Sequence, residues 1–303
     1  MRAQGWRSPM TRGLYAKLYP YLLLLPAFAI AAVVLVYPLF NGIALSLTSY
    51  TMLVPQYTWV GLRNFALIFR DPVYWEVFLN SLFIVFVAVV IQVSLGLVVA
   101  LLLNAAVPLR GFFRGAVFII WIIPMMVVAL LWMIIYNSEF GILNHILSSL
   151  GLIREYVSWL GRPWPARSAI ILTHGWRGVP FFMVMILAAL QTIPGDIVDA
   201  SKIDGAGAFQ RFVYITIPYI RHILLLSCLL SIVRLFQDIT LIYILTLGGP
   251  KNATTTLSVY VYKQAFQSFQ MAKAAAIGVT WLLFLLLLAV FYVRLVTRGE
   301  FRK

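Results

Sequence analysis

Residues 78–106 read Phe-Leu-Asn-Ser-Leu-Phe-Ile-Val-Phe-Val-Ala-Val-Val-Ile-Gln-Val-Ser-Leu-Gly-Leu-Val-Val-Ala-Leu-Leu-Leu-Asn-Ala-Ala. No Asp, Glu, Lys or Arg falls between Glu76 and Arg110, and the gap exceeds the roughly 20 apolar residues with which a helix crosses a bilayer. Leu, Ile, Val and Phe follow one another without the period-two alternation of a barrel strand, so the stretch is a helix. Comparable charge-free gaps run from Lys17 to Arg63, from Arg114 to Glu139 and from Lys273 to Arg294. Adding two spans that carry a few charges, the sequence predicts membrane helices at 19–47, 78–106, 116–136, 168–190, 219–245 and 274–296. The fold class that follows is an all-α membrane protein with six transmembrane helices. It is one domain, 19–297, between a cytoplasmic segment 1–18 and a cytoplasmic tail 298–303, with a cytoplasmic loop at 191–218.

Composition agrees. The chain is 63% hydrophobic and 11% charged, against about 25% charged in an ordinary globular domain, which excludes a soluble enzyme. Nine acidic residues, three histidines and one cysteine, Cys228, leave no disulfide scaffold and no Cys/His zinc site. A net charge of +14 would suggest nucleic acid in a soluble chain, but here Lys and Arg stand at the ends of apolar runs. With six spans both termini share a side. Thirteen Lys and Arg fall there (Arg2, Arg7, Arg12, Lys17, Arg110, Arg114, Lys202, Arg211, Arg221, Arg294, Arg298, Arg302 and Lys303) and eight on the other side. The bias puts both termini in the cytoplasm. The basic N-terminus and the apolar run after it are read as a retained first span, because the run continues past Pro38 with no Ala-x-Ala-like cleavage site directly after it.

No nucleotide site is legible. The nearest thing to a phosphate loop, Gly248-Gly249-Pro250-Lys251-Asn252, lacks the P-loop spacing and falls on the outer side, so any ATP dependence comes from a partner. Asn252-Ala253-Thr254 matches a glycosylation acceptor and reads as a loop turn. Three charges interrupt the spans: Arg177 in the fourth, and Arg234 with Asp238 in the fifth. A charge near the bilayer centre costs about 2.5–3.5 kcal/mol on insertion scales, so these should face the bundle interior or water. Arg234 and Asp238 are four apart on one helical face and can pair. They read either as part of a polar translocation path or as a self-satisfied structural pair. Gln237 and Tyr243 are candidate solute-contacting groups on such a path, with helix packing the alternative for Tyr243.

The cytoplasmic loop carries the most information. Ile193-Pro194-Gly-Asp196-Ile-Val-Asp199-Ala200-Ser201-Lys-Ile-Asp204-Gly205-Ala206 predicts a short helix with Pro194 near its first position, Asp196 in its first turn and Gly205 just past its end. Ile193, Ile197 and Val198, with Ala200 and Ser201, make an apolar, small-sided face. So short a helix is marginal alone in water and must pack on something, either a partner protein or its own bundle.

At these residues the sequence resembles the membrane subunits of binding-protein-dependent ABC importers, in the carbohydrate-uptake group that includes maltose and glycerol-phosphate permeases. The matching residues are Asp199-Ala200-Ser201, Asp204-Gly205-Ala206, Phe209, Phe212 and Ile217-Pro218. Asp199 stands where the family has Glu, and Ser201 where it has a second Ala. The likeness continues through Tyr37-Pro38, Trp59-Val-Gly61, Asp71-Pro72, Pro124 to Trp132, Gly141 to Asn144, Trp176-Arg177 with Pro180-Phe181-Phe182, Phe236-Gln-Asp238 and Leu245-Thr246-Leu-Gly248-Gly249-Pro250.

The resemblance implies a type I ABC importer transmembrane domain in a bacterial or archaeal inner membrane. Pro194, Asp199, Ala200, Ser201, Asp204, Gly205, Ala206 and Phe209 would form the coupling helix and its turn, seated in a cleft of a separate ATPase. The implied partners are a second permease, two ATPase subunits and an extracytoplasmic solute-binding protein. This chain would bind no cofactor of its own, with ATP and Mg on the ATPases. The implied substrate is a monosaccharide, oligosaccharide, polyol or glycerol phosphate, passing near Arg177, Arg234, Gln237, Asp238 and Tyr243. Two other classes stay open on the residues alone: an ion-coupled secondary transporter, for which midplane charges are typical, and a membrane assembly factor without a path.

Overall fold

In lipid every backbone N–H and C=O must find its partner within its own segment, so the charge-free runs fold as helices. The computed structural model describes residues 9–54, 58–105 and 108–297. Arg2 and Arg7, the whole tail 298–303 with Arg298, Arg302 and Lys303, and Ala106 lie outside the described residues. The membrane part begins with α1 (Tyr19–Ser46), a short α2 (Arg63–Arg70) and α3 (Pro72–Asn104). Next come α4 (Arg110–Ile122), α5 (Met125–Ile135), α6 (Ile142–Ser149), α7 (Pro163–Leu190) and α8 (Gly195–Ile203). The chain ends with α9 (Ala208–Gln237), α10 (Thr240–Thr246), α11 (Leu257–Tyr262) and α12 (Met271–Thr297). Five of these, α1, α3, α7, α9 and α12, are each long and apolar enough to cross a membrane, and α4 with α5, meeting at 95°, are together long and apolar enough to make a sixth crossing.

Two predicted spans are broken. The stretch 116–136, expected to be continuous, bends at Ile123 and Pro124: proline has no N–H to donate and forces its predecessor out of the helical region, and Ile123 is extended. The stretch 219–245 stops at Gln237. Asp238 is extended, and its Oδ1 accepts the N–H of Thr240 at 3.1 Å, so the side chain supplies the partner that helix continuation would have supplied. The predicted pairing of Arg234 with Asp238 fails for this reason. The helix that would have placed them on one face ends between them, and among the described residues no ion pair includes Arg234. In α1 and α9 a π turn precedes a proline: Tyr37 N–H reaches back to Ala32 O, and Ile217 N–H to Phe212 O, just before Pro38 and Pro218.

The centre of the molecule is the pair α3 and α7, packed along most of their length, with α9 laid across both. Close approach depends on absent side chains. A Cβ on Gly96 would overlap Phe182, and one on Gly178 would overlap Gln92. A second cluster holds α12 to α2, α3 and α11 through Ile68, Tyr74, Val77, Leu257, Tyr260, Ala276 and Ile277. On the same side, Asp71 caps α3 through Val73 N–H at 3.0 Å, while Tyr260 Oη and Lys273 Nζ approach its other oxygen at 3.2 and 3.3 Å. Burial and the Asp71 carboxylate push the Tyr260 hydroxyl up to about 12. The apolar window of α1 is unburied, whereas its last turns, from Tyr37 to the buried Ser46, pack against α12.

Candidate functional site

A cavity of about 250 Å³ lies where α3, α7 and α9 meet the break between α4 and α5. Its polar lining is Gln92, His174, Arg177, Arg234, Gln237 and Asp238, and Trp121 and Met125 form an apolar wall. The residues arrive there for identifiable reasons. His174, Arg177 and Gly178 recur at helical spacing on one face of α7. Gln92 faces them from α3, donating from Nε2 to His174 O at 2.8 Å and accepting from Ser231 Oγ of α9 at 2.6 Å. A single buried amide therefore ties three helices together, and in an apolar interior its own two polar ends would otherwise be unpaired.

Arg177 explains its own position. Its Nη1 donates to Ile120 O and Trp121 O, both at 2.9 Å. These are among the last carbonyls of α4, orphaned because the helix stops there, and a cation is favoured at that negative end of the helix dipole. Arg234 lies with its guanidinium carbon 5.0 Å from the centre of the Phe181 ring, a cation–π contact. Asp238 Oδ2 is 3.6 Å from His174 Nε2, too far for a hydrogen bond. Three buried polar atoms of cavity-lining residues, His174 Nε2, Arg177 Nε and Asp238 Oδ2, have no hydrogen-bond partner. All three are shut off from solvent, so the wall of the cavity holds polar groups whose hydrogen-bonding capacity is unmet.

Of the residues predicted for a path, Arg177, Arg234, Gln237 and Asp238 come together here. Tyr243 does not: it lies beyond the break in α10, its hydroxyl accepting from Gln267 Nε2 at 3.2 Å and its ring against Tyr262 at 5.1 Å. Sequence reasoning missed Gln92 and His174. The signals were a lone amide inside the charge-free run of α3, and a histidine three residues before Arg177.

The loop helix α8 runs from Gly195, with Pro194 as its N-cap in extended geometry, and ends at Asp204. Gly205 follows in the left-handed region at φ +79°. Gly205 N–H bonds Lys202 O at 3.1 Å and Ala206 N–H bonds Ser201 O at 2.9 Å, a Schellman closure. Ile193, Ile197, Val198 and Ser201 turn toward the bundle, Ser201 being buried, and Ser201 Oγ donates to Val198 O at 2.6 Å. Ala200, expected on that face, is exposed together with Asp196, Asp199 and Asp204. Asp199 pairs at 2.8 Å with Lys202, a solvent-exposed bridge worth little. Ile203 is 87% exposed and Phe209 77%. Arg211 holds the turn by donating to Ala206 O.

Residues 92–299 match the family of binding-protein-dependent transport system inner membrane components. The chain belongs to this family. The permease is 32% identical over 286 residues to a probable ABC transporter permease, YurN, of Bacillus subtilis, covering 94% of this chain and 98% of that one. It is 32% identical over 283 residues to MalF, the trehalose/maltose transport system permease of Thermococcus litoralis, covering 93% and 94%. Among solved structures it matches a bacterial alginate ABC transporter in complex with an alginate pentasaccharide-bound periplasmic protein, with a TM-score of 0.78 at 20% identity over 92% of this chain and 95% of that one. The last likeness is one of fold. The permease is a multi-pass membrane subunit of a binding-protein-dependent ABC importer, and ATP hydrolysis in such importers belongs to separate subunits.

Proposed function

We propose that the permease imports a sugar or related solute, that the cavity around Arg177 and Asp238 is part of its path, and that α8 couples the path to ATP. The observation that carries the coupling is α8 itself: a Schellman-closed helix that keeps Ile203 and Phe209 in solvent. Apolar side chains held out on a rigid turn are complementary to a protein cleft. The partners are two ATPase subunits holding ATP and Mg, a second and related permease, and a solute-binding protein outside; both termini lie in the cytoplasm. The Thermococcus relative is named for trehalose and maltose, which supports a mono- or oligosaccharide, with polyols and glycerol phosphate in the same class.

Coupling works only if the inward-open and outward-open states differ in affinity for ATP and for the loaded binding protein, since a ligand shifts an equilibrium by no more than that difference. Reconstitution tests the proposal. Uptake into proteoliposomes requires intact ATPase sites; uptake that survives their inactivation, or that runs on an ion gradient with this chain alone, would favour an ion-coupled carrier.

A further inference from the structure

We infer that the break in the third crossing is a moving wall of the cavity and that Arg177 is the positioning residue that latches it, an assignment that rests on reading the cavity as the solute path. Trp121 and Met125 stand on either side of the break and both line the cavity, so the angle between α4 and α5 sets the shape of that wall. The break leaves carbonyls of α4 without helical partners at membrane depth, where they need a donor. One donor reaches them: Arg177 Nη1 takes both Ile120 O and Trp121 O. Its anchorage is rigid, because the preceding turn of α7 is fixed to α3 by Gln92 on His174 O. The planar guanidinium can hold the break on one edge while another N–H points elsewhere. That other N–H is Nε, buried and without a partner in a residue that faces the cavity. Nε is covered in this conformation, so a solute oxygen can accept from it only when the guanidinium that holds the carbonyls shifts. Occupancy of the cavity and the bend of the third crossing are thereby linked through one side chain. Arg234, in the same cavity, touches the Phe181 ring and not the break.

The test reads the bend directly. In the assembled transporter, Cys228→Ser removes the native thiol, and Phe112→Cys with Met126→Cys, both exposed and on α4 and α5, carry spin labels. A single narrow distance distribution is expected for this background. Arg177→Gln should lose it, Arg177→Lys should recover part of it because an ammonium still donates, and Arg234→Gln, which removes the same charge from the same cavity, should keep it. A narrow distribution in Arg177→Gln overturns the assignment, as does equal broadening in Arg234→Gln, which would make cavity charge the cause. No solute enters the measurement, so its failure is separate from failure of the path reading, which falls if Arg234→Gln and Gln237→Ala both leave uptake unchanged.

Discussion

Replacing Gly205 by valine isolates the turn that closes α8. Its φ of +79° is a conformation that L side chains resist, and no heavy atom comes within 4 Å of the position a Cβ would take. The cost is therefore conformational and not steric, about 1–2 kcal/mol for a residue forced into the left-handed region. A relaxed turn would instead give up the bonds from Gly205 N–H to Lys202 O and from Ala206 N–H to Ser201 O. Either way the geometry of α8 relative to Phe209 becomes a minor state, by a factor of about 5–30. Uptake by the reconstituted transporter should fall by that factor, while ATP hydrolysis by the same preparation falls less, so that more ATP is consumed per solute moved. Asparagine tolerates the left-handed region better than other residues, so Gly205→Asn should lie between Gly205→Ala and wild type. Wild-type coupling in Gly205→Val would refute the assignment of the turn. An asparagine variant as poor as valine would refute the conformational argument in favour of simple bulk at the ATPase surface.

Gln92→Ala should lower the thermal midpoint of the purified complex in detergent by an amount corresponding to about 1–3 kcal/mol, since it strands a buried Ser231 hydroxyl at the junction of three helices. Ser231→Ala should cost less: it leaves Gln92 Oε1 without its donor, but it removes one atom where Gln92→Ala removes a whole buried amide and its bond to His174 O. Ile203→Ser with Phe209→Ser should leave that midpoint within about 0.5 kcal/mol of wild type, both side chains being exposed, yet abolish co-purification of the ATPase.

The spans were legible because a bilayer leaves few choices: a long charge-free run between Glu76 and Arg110 has one outcome. Capping moved the ends outward, as where Asp71 starts α3 at Pro72. What the linear reading lost were the breaks. Pro124 stands inside the third run, but periodicity and hydropathy pass smoothly through it, and the donor to the orphaned carbonyls is Arg177, 57 residues from Ile120. Asp238 reads in the sequence as a charge within a helix, whereas its carboxylate accepts the Thr240 N–H at the point where the helix stops. The partners of the cavity residues are likewise remote in sequence, Gln92 lying 82 positions from His174. The end of α8, by contrast, rests on contacts within six residues, and its glycine could be placed from the sequence alone.

If this permease is one subunit of an ATP-driven assembly joined through α8, the tagged chain isolated in mild detergent should bring its partners with it, identifiable by mass spectrometry. An ATPase and a second permease should be recovered, with the ATPase lost when Asp204 and Gly205 are replaced. Recovery of the chain alone as a stable homo-oligomer, unchanged by those replacements, would contradict it.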